Sequence, residues 1–287
     1  MKQRIFSILL ALCLVLSLLP TVTFAEGETT AEVGTAAELR SAIEGGTADI
    51  VKLTENITID ARLTVTRTVA VDLNGCVLSF DQNAPSDSIF RVSGENNTLT
   101  LRDSRPDATH SDDALPVGGL ITGGRGNTYF TGSYTQHYGG GIYLDSAAFV
   151  LEGGTIYDCG FRDGGNRGLY GGGIYSMASS VKIHGGAIRN CVLNGHYAGG
   201  GGIYLDYDSS FEMTDGVIAD CTSSGGSGGI RSNCKTFQIT GGRIENCTAS
   251  ENGGGISISG YPSPAVLNAT ISGCTAKYGG GVYLEAY

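Results

Sequence analysis

From Asp49 to the last residue, apolar and polar positions alternate in short runs broken by glycine clusters. Stretches such as "SFEMTD" (Ser210–Asp215) and "TFQIT" (Thr236–Thr240) place apolar side chains at every second position, a period that predicts strands with one buried face. One stretch departs from this period. "TAAELRSAIEGG" (Thr35–Gly46) sets Leu39 and Ile43 four apart with glycine just beyond, which predicts a short amphipathic helix. We read residues 26–48 as an N-terminal segment with a capping helix that covers the first open strand edge, and residues 49–287 as all-β.

The glycine clusters form a repeat. "HYGGGIYLD" (His137–Asp145) returns as "LYGGGIYSM", "AGGGGIYLD" and "KYGGGVYLE", and the apolar residue after each cluster falls at Ile142, Ile174, Ile203, Ile230, Ile256 and Val282, in steps of 32, 29, 27, 26 and 26. A second element lies between them: "GGTIYDC", "GGAIRNC", "DGVIADC", "GGRIENC" and "NATISGC". Two marked corners and three short strands per unit predict a solenoid with one coil per unit, its parallel strands stacked about 4.8 Å apart. No coil can bury its apolar face alone, so stability has to come from neighbours. The regular repeat covers residues 118–287, and residues 49–117 read as less regular first coils. Because the chain stops a few residues into a new coil, at "GGGVYLEAY", a fragment of a longer protein is expected.

The paired corners, "GGGI" and glycine-glycine-x-Ile-x-[Asn/Asp]-Cys, resemble the glycine-rich repeats of polymorphic outer-membrane-protein type adhesins, within the right-handed parallel β-helix (pectate-lyase-like) superfamily. Where that family places an aromatic residue, two variable positions and Asn, this chain places Ile, two variable positions and Cys. The resemblance implies a right-handed parallel β-helix with a binding role, although many members of the superfamily cleave acidic polysaccharides.

Alternation along a strand sets which residues face out. With Ile142 inward, the inward column continues through Leu144, Ser176, Leu205, Ser232, Ile258 and Leu284, and the outward one through Tyr143, Tyr175, Tyr204, Arg231, Ser257 and Tyr283. A second tyrosine column, Tyr138, Tyr170, Tyr197 and Tyr278, stands just before the glycines or one residue earlier. Tyrosines on a rigid scaffold can stack on sugar rings, anchor a protein, or stack on one another to cover the coil. The segments joining each second corner to the next triplet hold 14, 11, 8, 5, 5 and 4 residues, so they lengthen toward the N-terminal side. Insertions on one face of a repeat array commonly build its binding surface. We therefore take Tyr138, Tyr143, Tyr170, Tyr175, Tyr197 and Tyr204, with Arg162 and Arg167 from the long segments, as candidate ligand-binding residues.

Composition narrows the partners. Lys2 and Arg4, the apolar run Ile5–Leu19 and the small-residue boundary at Thr23–Ala25 read as a signal peptide over residues 1–25, implying a secreted or cell-surface protein. That run is shorter than the roughly 20 residues of a spanning helix, so stable membrane insertion is not expected. The formal charge of −10 becomes −12 once Lys2 and Arg4 are removed, which disfavours nucleic acid and polyanions and leaves neutral glycans, proteins and divalent cations open; a glycan or an extracellular protein is the expected partner.

Five of the remaining cysteines, Cys159, Cys191, Cys221, Cys247 and Cys274, share one repeat position. They read as an inward ladder of small apolar thiols; one or two disulfides are the alternative, since the stacking distance falls within disulfide range. No cofactor or metal is expected: Cys-x-x-Cys spacing, the calcium nonapeptide and the P-loop lysine are all missing. For hydrolysis, the best acid/base pair is Asp145 and Asp206, two coils and so about 9.6 Å apart in one outward column, within the span of an inverting pair. His137 and His196 lie near the long connecting segments, where a general base could stand, and His137 is the candidate taken with the pair. Equivalent positions in a solenoid produce such spacings automatically, so we read a binding protein first, with a polysaccharide hydrolase or lyase and a structural stalk as alternatives.

Overall fold

The computed structural model describes residues 27–130, 132, 135–162, 168–260 and 265–285. The proposed signal peptide lies outside them. Among the described residues three long parallel sheets wrap one core, with nine, eight and eight strands. Each regular coil visits them in the same order. In one coil, Ile142–Asp145 lies in what we call the tyrosine sheet, Ala148–Leu151 in a side sheet, and Thr155–Tyr157 in the cysteine sheet.

Register between coils is strict. Ile142, Ile174, Ile203, Ile230, Ile256 and Val282 align one above the next, and Leu144, Ser176, Leu205, Ser232, Ile258 and Leu284 follow two residues on. All of these are buried except Val282, which is partly buried, and the exposed Leu284 on the last strand. The same three sheets run back through the first coils, where Leu63 and Val65 pair with Phe90 and Val92, and these with Ile142 and Leu144. These coils lack the glycine triplet but keep its alternation. A single apolar cluster therefore extends from Val33 to Ile258.

At the N-terminal end lies helix α1 (Ala36–Glu44). Thr35 caps it: its side chain accepts from the Glu38 backbone while the Glu38 carboxylate accepts from the Thr35 backbone. Leu39 and Ile43, fully buried, join the core cluster and so close it at this end.

The glycine triplets follow from close packing at one corner. Gly171 has φ +66°, a left-handed conformation that a side chain disfavours. A Cβ on Gly172 would collide with the Gly201 carbonyl of the next coil, and one on Gly173 would come within 2.9 Å of Ile188 Cγ2 and 3.3 Å of Cys191 Sγ. The "GGG" corner and the Ile-x-x-Cys corner thus fit each other across the tube. At the second corner Asp158, Asn190, Asp220 and Asn246 take φ between +49° and +56°, values that Asn and Asp tolerate best among residues with side chains.

The long connecting segments were expected as loops; they fold instead into a fin. Outgoing strands Gly160–Phe161, Val192–Leu193, Thr222–Ser223 and Thr248–Ala249 form one small sheet. Returning strands Thr135–Tyr138, Gly168–Tyr170 and Tyr197–Gly199 form another, extended by the antiparallel strand Asn127–Phe130. Phe161, Leu169, Leu193 and Ala198 make a second, separate core between the two small sheets.

Candidate binding face

The fin shelters one side of the tyrosine sheet, and this changes how the tyrosines stand. Tyr143, Tyr175 and Tyr204 point away from the main core as alternation requires, yet Tyr143 and Tyr175 are only 9% and 6% exposed. They stack on each other: centroids are 5.6 Å apart for Tyr143 and Tyr175 and 5.6 Å for Tyr175 and Tyr204. The fin tyrosines cover them, with Tyr138 4.8 Å from Tyr175, Tyr170 5.1 Å from Tyr204, and Tyr138 and Tyr170 5.3 Å from each other. The expectation of open tyrosine columns is thus corrected. Most of this aromatic surface is spent on mutual packing, and burial raises the hydroxyl pKa of Tyr143, Tyr175 and Tyr204. Tyr197, 58% exposed, is the exception; it aligns with Gln136 and Gly168 rather than with Tyr138 and Tyr170.

His137 also needs correction as an accessible base. It is buried, aligns with Leu169 and Ala198, and stacks on Phe161 at 4.3 Å, so it packs against the fin core. Asp145 and Asp206 do share one column, with Met177 between them. Each is engaged separately: Asp145 accepts from Arg91 at 3.2 Å, and Asp206 accepts from the Tyr175 hydroxyl at 3.3 Å and the Tyr207 backbone at 2.8 Å. Neither lines the hollows of this face. Arg162 is exposed and pairs with Asp158 on the outgoing side of the fin, away from the tyrosine stack. Arg167 lies outside the described residues.

Hollows remain on the face among the described residues, and two of them matter here. One, about 210 Å³, is lined by Asn127, Tyr129, Tyr138, Tyr143, Tyr175 and Met177. The larger, about 420 Å³, opens where the fin steps down, and Tyr170, Tyr197, Tyr204, Arg231, Glu251 and Asn252 are among the residues that line it, with His196. The tyrosine stack separates the hollows, since Tyr143 and Tyr175 line one and Tyr204 the other. Sequence reading placed Arg231 in the outward column but gave it no role. The signal was its break in a run of three tyrosines, at the coil where the connecting segment shortens.

The cysteine column is inward, as expected. Cys159, Cys191, Cys221 and Cys247 are buried, Cys274 is partly so, and all five are free thiols, as are Cys76 and Cys234. Four of them point at a carbonyl of the preceding coil, Sγ to oxygen 3.7–3.9 Å. Burial pushes the Cys191 and Cys221 thiols far above their ordinary pKa.

Residues 168–286 match a family described as "Right handed beta helix region". With the stacked coils, this makes the chain a right-handed parallel β-helix with a short N-terminal helix. No curated protein and no solved structure matches it. Among the described residues, no helix is long and apolar enough to cross a membrane.

Proposed function

We propose that this chain is an exported binding protein, secreted or displayed at the cell surface, whose tyrosine face holds an extended glycan along the solenoid axis. The observation that carries the reading is the larger hollow, where Tyr170, Tyr197 and Tyr204 offer ring surface beside one guanidinium. Concave sites with aromatic walls and a few convergent polar groups are where small ligands and sugar rings bind. The smaller hollow continues the same face along the axis, so a chain-like ligand could engage both. Export is argued from the N-terminal apolar run, and the adhesin-like repeat agrees with a binding role.

The test is incubation with a panel of neutral and acidic polysaccharides, following both retention on the polymer and release of shortened or unsaturated products. We expect saturable retention without product, weakened about tenfold by Tyr197→Ala, since ring stacking of this kind contributes on the order of 1 kcal/mol or more. Product that disappears in Asp145→Asn or Asp206→Asn would replace this reading with a polysaccharide-cleaving enzyme. Absence of both signals would favour a protein partner or a stalk.

A further inference from the structure

The outward column of the tyrosine sheet reads Arg91, Tyr143, Tyr175, Tyr204, Arg231 from coil to coil. The tyrosine stack therefore has a guanidinium at each end, and the two are held differently. Arg91 lies over the Tyr143 ring, 5.5 Å from its centroid, and donates to Asp145 of the following coil at 3.2 Å. The matching position in the coil after Arg231 is Ser259, whose hydroxyl donates to Glu285 at 3.0 Å. Both arginines have a buried Nε without a hydrogen-bond partner, but among the described residues Arg231, unlike Arg91, has no ion-pair partner either. Glu251, which also lines the hollow, is paired with Lys277 at 3.6 Å.

The backbone has made room for this arginine. A Cβ on Gly199 would come within 2.8 Å of Arg231 Cδ, and one on Gly226 would collide with a terminal guanidinium nitrogen, so the side chain lies across both glycines. Gly199 and Gly226 continue the column that Tyr138 and Tyr170 occupy in earlier coils. The chain thus gives up fin tyrosines at the coils around its outward arginine. What results is a guanidinium laid along one side of an aromatic hollow with, among the described residues, no carboxylate paired to it.

We propose that this hollow binds one anionic group, a carboxylate or a sulfate ester, carried on an otherwise neutral sugar chain. The inference rests on the glycan reading above and names the chemistry of its ligand. A guanidinium fork matches either acid with two parallel hydrogen bonds. A lone charge suits a chain whose formal net charge is −10, because the overall field repels a polyanion.

Three β-linked tetrasaccharides test it, ending in glucuronate, in glucose and in glucose sulfate, each titrated calorimetrically into the full chain and into Arg231→Gln, Arg231→Lys and Tyr197→Ala. We expect at least one acidic probe to bind about tenfold more tightly than the glucose-ended one. Arg231→Gln should abolish this preference and Arg231→Lys reduce it, whereas Tyr197→Ala should weaken all probes alike. Which acidic probe binds more tightly identifies the acid, and an unchanged thermal midpoint in Arg231→Lys separates lost recognition from lost folding. Equal binding of all three, or a preference that survives Arg231→Gln, overturns the anion assignment and leaves the glycan reading in place. Failure of all three to bind overturns both.

Discussion

Tyr175 shows how a side chain can face away from the core and still be interior. Alternation fixed its direction correctly; its cover came from Tyr138 and Tyr170, which belong to segments whose folding the local pattern did not reveal. Removing this ring should cost about as much as a core aromatic. Tyr175→Ala is expected to lower unfolding free energy by about 3 kcal/mol, and Tyr175→Phe by under about 1 kcal/mol, because only the hydroxyl contact to Asp206 is lost. Denaturant melts of both variants check this; similar small losses would mean that the stack is loosely packed. Arg231 marks the residue-scale limit of the sequence. Its facing was legible, but its posture depends on the missing side chains of Gly226, in the connection leading into its own strand, and of Gly199, one coil earlier.

Strand positions, the solenoid and the capping helix were legible because each rests on a local signal repeated many times: period two, the glycine-Ile corner, and Leu39 and Ile43 at helical spacing. The fin was not, because its strands are two to four residues long and its pairing runs between coils. A trace existed in Phe161 and Leu193, each two residues after a cysteine, and in Leu169 and Ala198 before the triplets. The triplet itself makes a prediction. Gly172→Ala meets the next coil's backbone and should destabilise by about 1–3 kcal/mol, whereas Gly27→Ala, with open space around its position, should be neutral. Equal effects in thermal melts would contradict the packing argument for the corner.

For the whole molecule, the consequence of stacking identical corners is a column of protonated thiols inside the tube. Cys191 and Cys221 are fully buried with pKa values well above 9.0, while an unfolded cysteine titrates near its ordinary value. The folded chain therefore keeps protons that the unfolded chain releases. Stability should be full below about pH 8.5 and fall above it by about 1.4 kcal/mol per pH unit for each such thiol. Urea unfolding under reducing conditions at about pH 8 and about pH 10 measures the slope, and Cys191→Ala with Cys221→Ala should flatten it by about 2.7 kcal/mol per pH unit. An unchanged slope in that double variant would mean the column is not what holds those protons.

At the same scale, the fin's step-down from long to short connections creates one hollow on one face, and the functional account depends on that place. Hydrogen exchange of the full chain, with and without a saturating retained polysaccharide, tests it most directly. The account predicts slowed exchange on the tyrosine face, strongest at residues 196–199, 225–231 and 251–252 around Tyr197, Arg231 and Asn252 and extending to the smaller hollow around Asn127, Tyr129 and Tyr138. Protection on the side or cysteine sheet instead, with these segments unchanged, would contradict it.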